Sequence, residues 1–293
     1  MPQATFRERR ERFRAILARP ALTSPASTFS PVSARLAAAA GFEFGLLGGS
    51  VASAEVLGAP DLAVITLSEF AEQARRITRA SDLPLMVDSD HGYGNALSVR
   101  RTVEELEAAG VAAMSIEDTV LPQPYGVDRS ENISVDEFRG KLRAAVDART
   151  DPSLVVIGRT NLTTDTDDVI ARIQACSQAG VDCIFLIGRL TSELLTAIHS
   201  ASSLPLITGY PQIDPQELIS LGVRIQTTGH QGYFVMLQAL WSYYQARQSG
   251  RPTGAFLDQE LSPEQRRIAF DRDAYEAWTR EYLGISGDGP TRL

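Results

Sequence analysis

From Ser27 onward, short apolar runs alternate with longer stretches in which apolar residues recur every three or four positions. That order belongs to parallel βα units. The runs predict strands near residues 27–30, 44–47, 85–88, 113–117, 155–159, 183–187, 206–208 and 223–227. Between them, predicted helices over 100–109, 170–179 and 215–221 each stop at a glycine, Gly110, Gly180 and Gly222. Glycine is the residue favoured just past a helix end. Eight repeats over about 200 residues predict an α/β chain closed as a (β/α)8 barrel of the TIM type. An open doubly wound sheet fits less well, since it commonly has fewer strands and a glycine-rich dinucleotide turn.

The flanks read as helices outside the repeat. In segment 1–25, Phe6, Phe13 and Leu17 recur at helical spacing within an arginine-rich stretch. Its glutamates, Glu8 and Glu11, separate it from a transit peptide, so a docked helix is expected. The barrel is expected to span 26–248, with residues 233–248 as a long amphipathic final helix. Residues 249–254 read as a linker opening the last segment, 249–293. There Ser262 and Pro263 mark a helix start, and Tyr275, Trp278, Tyr282 and Leu283 form an aromatic stripe on the next helix. Such a stripe is expected to cover the barrel or a neighbouring subunit, as in a homodimer or homotetramer.

Composition narrows the partners. The 293 residues, 44% hydrophobic and 22% charged, suffice for one large core. A net charge of -8 without a long basic block repels nucleic acid and anionic membranes on average, so an anionic substrate must be held locally by a metal or an arginine. No apolar run reaches the roughly 20 residues of a membrane helix, and a cytoplasmic location is expected. Cys176 and Cys183 fall in an apolar helix and an apolar strand, which points to burial and not to a disulfide or metal site.

In such barrels the chemistry sits where strands end. The polar residues there are Gly48-Gly49-Ser50, Asp88 to Gly94, Glu117-Asp118, Arg159-Thr160-Asn161 and His230. Asp88 and Asp90 alternate on an extended segment, and Glu117 comes from the neighbouring strand. Three converging carboxylates call for a cation, and a hard divalent ion such as Mg2+ fits them better than zinc, which prefers Cys and His. The alternative is that these acids cap helices. Gly48, Gly49 and Ser50 offer backbone N–H groups and a hydroxyl to a ligand. Arg159 can clamp a carboxylate through its fork, or else form a barrel-end salt bridge to Glu117 or Asp88. His230 faces the same mouth, or merely caps the last helix. His199 lies on a predicted surface helix and receives no role.

Together, Asp88 to Gly94, Gly48-Gly49-Ser50, Ile116-Glu117-Asp118 and the strand-borne Arg159 resemble the isocitrate lyase and phosphoenolpyruvate mutase superfamily. The resemblance implies that Asp88 binds magnesium directly, that Asp90 and Glu117 act through water, and that Asp61 is a further acid near the metal. Lyase members carry a cysteine in a Lys-x-Cys-Gly-His loop, whereas residues 119–127 here hold no cysteine, lysine or histidine. The mutase lysine expected after Glu-Asp is Thr119. His91, the Gly-Tyr-Gly-Asn-Ala continuation and Thr228-Gly229-His230 instead resemble the oxaloacetate decarboxylase branch. It implies Mg2+, with Mn2+ as a substitute, and a 2-oxo acid losing CO2 through a metal-stabilised enolate. Arg159, Ser50 and the glycine backbone would then fix a carboxylate while His230 reaches the substrate. A C–C lyase or hydrolase on a related 2-oxo diacid, and a non-catalytic dicarboxylate-binding barrel, are the other readings.

Overall fold

The computed structural model describes residues 4–128 and 131–285. Eight parallel strands follow chain order around one sheet: β1 (Ala26–Ser27), β2 (Gly45–Leu47), β3 (Leu85–Asp88), β4 (Ala113–Glu117), β5 (Val155–Asn161), β6 (Cys183–Ile187), β7 (Leu206–Thr208) and β8 (Val223–Gln226). The ring closes through Thr23, which lies parallel to Ile225. Its N–H donates to the Arg224 carbonyl at 2.9 Å, and its own carbonyl accepts from Gln226 at 3.0 Å. The chain is therefore a (β/α)8 barrel, as the repeat predicted.

Alternation along the strands divides the core into two layers. Met86, Val155, Ile157, Cys183, Phe185, Ile207 and Ile225 fill the interior of the barrel. Val87, Met114, Val156 and Ile184 point outward against helices such as α5 (Ala96–Ala108), α6 (Val135–Ala148) and α7 (Thr166–Ala179), meeting Val103, Leu106, Leu142 and Ile173. Because both faces are covered, the strands read as continuous apolar runs. Cys176 and Cys183 are buried, one in each layer. Gly158 has no room for a side chain, since a Cβ there would press on Cys176.

Helix α1 (Phe6–Ala18) stoppers the N-terminal mouth. Its Phe13, Ile16 and Leu17 join the interior cluster, and Phe13 meets Phe44 edge-on at 5.1 Å. Its arginines satisfy backbone carbonyls at that end: Arg10 Nε donates to Val111 at 3.0 Å and Arg14 Nε to Ser153 at 2.9 Å. The arginine-rich start thus closes one mouth and leaves the other for chemistry.

Several boundaries differ from expectation. β1 ends at Ser27, because the Ser30 side chain caps α2 (Pro31–Ala39) by accepting from Ser33 N–H. β5 runs two residues beyond Arg159, to Asn161. α5 starts at Ala96, four residues before the predicted position, with Asn95 accepting from Leu97 and Ser98 N–H groups. Helix α10 (Gln231–Gln248) is not amphipathic as expected: only Tyr233 and Ala246 are buried, while Phe234, Val235, Trp241 and Tyr244 are each more than half exposed. Apolar residues surround it, so no single face can serve the barrel.

In the tail, α11 (Pro263–Ala269) packs on α2, where Arg35 reaches Asp271 at 3.1 Å. α12 (Arg272–Leu283) buries none of its residues. Among the described residues no helix is long and apolar enough to cross a membrane.

Candidate active site

The inward-facing rows that fill the barrel lower down turn polar at the open mouth. On β4 the row runs Ala113, Ser115, Glu117; on β5 it runs Val155, Ile157, Arg159, Asn161; on β6 it ends Phe185, Ile187. Period-two geometry therefore delivers Glu117 and Arg159, which are register partners, side by side. Arg159 Nη2 lies 3.1 Å from Glu117 Oε2, and Nη1 donates to Asp88 Oδ2 at the end of β3. The other Asp88 oxygen accepts from Ser115 Oγ at 2.7 Å. The Arg159 guanidinium carbon lies 5.7 Å from the centre of the Phe185 ring, and its buried Nε has no hydrogen-bond partner among the described residues.

The loop after β3 bends through left-handed backbone at Asp90 (φ 47°), Gly92 (75°), Tyr93 (59°) and Gly94 (146°). Two non-glycine residues in that region mark a strained segment of the kind that collects at functional sites. Asp90 anchors to the neighbouring strand end, its carbonyl accepting from Glu117 N–H at 2.9 Å. Its carboxylate lies against Gly49, where a Cβ would collide with it, just as a Cβ on Gly48 would collide with Nε2 of His230. The two glycines are thus required by side chains that fill their Cβ space. Gly48 and Gly49 open α3 (Gly49–Leu57) without a side-chain cap.

All nine residues singled out from the sequence, Gly48, Gly49, Ser50, Asp61, Asp88, Asp90, Glu117, Arg159 and His230, line one cleft of about 400 Å3. Thr119, Leu121, Asn161, Phe185 and Ile187 complete much of its wall. Asp118 points away, buried behind the mouth where Thr160 Oγ1 (2.6 Å) and Arg172 (3.0 Å) hold it. His91 also stays behind the mouth, near Tyr93, and burial pushes its imidazole down to about 4. His199 is exposed on α8 (Ser192–Ala201).

The carboxylates do not converge without a counter-charge, because Arg159 stands between Asp88 and Glu117 in the barrel-end salt bridge considered as its alternative role. Among the described residues, no three His, Cys, Asp or Glu side chains are gathered tightly enough to hold a metal by themselves. His230 occupies the position preceding α10, but its side chain makes no capping bond. Its Nδ1 instead lies 2.7 Å from Ser27 Oγ.

Electrostatics set these groups apart from surface acids. Burial, reinforced by the charges of Asp88 and Glu117, pushes the Asp90 carboxyl up to about 8. Burial likewise raises Glu117 to about 7, against the pull of Arg159. Desolvation and Asp88 raise Asp61, and burial lowers the His230 imidazole. Such displaced carboxyls in a cleft mark a functional site.

Sequence reasoning gave no role to Ser27, Ser115, Asn161 or Phe185. The inward parity of β4, β5 and β6 was the signal that could have found the last three. Ser27 needed the closed ring, which brings β1 beside the segment after β8.

A closed barrel with an acidic, arginine-bearing mouth defines a class, and the chain belongs to the phosphoenolpyruvate phosphomutase family, whose model matches residues 13–247. Within it, the chain is 46% identical over 291 residues to an oxaloacetate decarboxylase of Pseudomonas fluorescens (strain SBW25), covering 97% of this chain and 99% of that protein. Among solved structures it resembles 2,3-dimethylmalate lyase, with a TM-score of 0.83 and 28% identity over the full length of both chains. It also resembles a phosphonopyruvate hydrolase complex with oxalate and Mg++, with a TM-score of 0.81 and 27% identity over 94% of this chain and 99% of that one.

Proposed function

We propose that the protein decarboxylates oxaloacetate to pyruvate and CO2 with the help of a divalent cation, Mg2+ first and Mn2+ as a substitute. The observation that carries this reading is a count of charges. Arg159 is the one lysine or arginine side chain lining the described cleft, and burial lowers the basicity of the His230 imidazole, whereas oxaloacetate brings two carboxylates. Arg159 can pair with the carboxylate beside the ketone. The other then faces a wall that includes Leu121, Phe185 and Ile187, where a charge is poorly solvated and neutral CO2 is favoured. The Pseudomonas relative's name agrees with this chemistry.

The donor set suits a hard cation. Asp88, Asp90, Glu117 and Asp61 present only oxygen, and the buried Asp90 carboxyl has no hydrogen-bond donor among the described residues. Asp88 would hold the ion directly, with Asp90, Glu117 and Asp61 acting through water. When bound, the cation supplies Lewis acidity that stabilises the negative charge left on the ketone oxygen. Arg159 then exchanges its carboxylate partners for the substrate carboxylate, with Ser50 and the Gly48-Gly49 backbone beside it, and His230 donates a hydrogen bond to the ketone oxygen. The C3–C4 bond breaks, its electrons pass into the enolate, and C3 takes a proton.

Chelator-stripped protein is expected to form pyruvate no faster than the metal-only background, and Mg2+ or Mn2+ to restore turnover. Turnover unaffected by chelation would remove the metal from this account. Neither cysteine lines the cleft, which argues against a lyase that needs a thiol. A non-catalytic dicarboxylate binder would return its ligand unchanged.

The exposed apolar side chains of α10 and α12 support self-association into a homodimer or homotetramer. Truncation after Pro252 removes Tyr275, Trp278 and Tyr282 and is expected to lower the mass on a sizing column. An unchanged mass would assign the tail another role.

A further inference from the structure

The Ser27–His230 hydrogen bond leaves open which atom donates, and the surroundings decide it. Burial lowers the imidazole's affinity for a second proton, and the neutral ring carries its single proton on Nδ1 or on Nε2. Nδ1 lies 2.7 Å from Ser27 Oγ, and Ser27 Oγ has no other hydrogen-bond partner among the described residues. Nε2 sits against Gly48 at the cleft, within the field of Asp88.

If Nδ1 carried the proton and donated to Ser27, two groups would be mismatched. The hydroxyl proton would have no acceptor among the described residues, and the Nε2 lone pair would face the field of the Asp88 carboxylate. With the hydroxyl donating to Nδ1, its proton is accepted, and an N–H dipole points its positive end toward the acidic cleft. We propose that Ser27 is a positioning residue: its hydroxyl donates to Nδ1 of His230 and fixes the imidazole as the Nε2–H tautomer, a hydrogen-bond donor to the substrate's ketone oxygen. The use of that N–H rests on the decarboxylase reading, whereas the tautomer does not.

Gly48 serves the same end from the opposite side. Its backbone (φ -97°, ψ 155°) is open to any residue, so only the imidazole against it forbids a side chain. Ser27 and Gly48 thus fix the ring between β1 and the start of α3.

With three histidines in the chain, long-range 1H–15N correlation spectra of the labelled full-length protein resolve each tautomer, and His230→Gln identifies the relevant signals. The wild-type spectrum is expected to show His230 as Nε2–H. Ser27→Ala is expected to populate the Nδ1–H form and to lower kcat about tenfold with KM changed by less than about twofold, the signature of a lost preorganised donor. Ser27→Thr, which keeps the hydroxyl, restores the Nε2–H form and most of the rate. A wild-type Nδ1–H tautomer overturns the proposal without needing any variant. So does Ser27→Ala that leaves the tautomer unchanged, whether or not the rate falls, since a fall alone would mean a merely structural role. An Nε2–H histidine in a protein that makes no pyruvate would instead overturn the decarboxylase reading and leave the tautomer standing.

Discussion

Asp88→Ala is expected to lower metal-dependent turnover at least about a thousandfold, roughly 4 kcal/mol of transition-state stabilisation, because a Lewis acid is lost with its direct ligand. The same substitution should leave the fold intact and the melting temperature unchanged or raised. Removing one partner of a buried ion pair ordinarily costs about 3–5 kcal/mol, because the other charge is stranded. Here Arg159 keeps Glu117 at 3.1 Å, and the loss of Asp88 relieves the repulsion that adds to burial in raising Asp61 and Asp90. Circular dichroism and a thermal melt beside the kinetic assay separate the two effects. Near-wild-type turnover at ordinary Mg2+ would sink the metal assignment, and a collapse of stability would show that Asp88 is chiefly structural.

His230→Ala or His230→Gln is expected to lower the rate at saturating oxaloacetate about a hundredfold, roughly 3 kcal/mol, while weakening binding much less. A donor whose bond strengthens as the ketone oxygen gains charge contributes mainly to kcat. The rival idea, that His230 caps the last helix, has lost its geometric basis, since the side chain makes no capping bond and pairs with Ser27. Turnover per folded molecule equal to wild type would remove His230 from the mechanism.

The fold was legible because short apolar runs and glycine-terminated helices alternate through most of the chain. Strand ends were placed within a few residues, and the shifts have local causes, such as Ser30 capping α2 and Asn95 capping α5. Polar residues at strand ends located the cleft, since in a barrel those ends converge whatever lies between them in sequence. Pairing was only partly within reach. A salt bridge from Arg159 to Glu117 or Asp88 was one of its two expected roles, but that Arg159 spans both acids, and that Ser115 and Ser27 hold Asp88 and His230, depends on ring closure and strand register. Helix α10 misled for another reason: a pattern rich in apolar residues reads as a barrel helix, but its faces are apolar all round and mostly exposed.

Decarboxylation in this cleft means that the C3–C4 bond of oxaloacetate breaks. Purified protein with Mg2+ and [4-13C]oxaloacetate, followed by 13C NMR, tests it directly. The label is expected to leave as CO2 and bicarbonate, with one pyruvate formed per label released and a rate well above that of Mg2+ alone. Label appearing in acetate alongside oxalate would place the cleavage at C2–C3 and contradict the account, as would oxaloacetate that survives at the rate set by the metal alone.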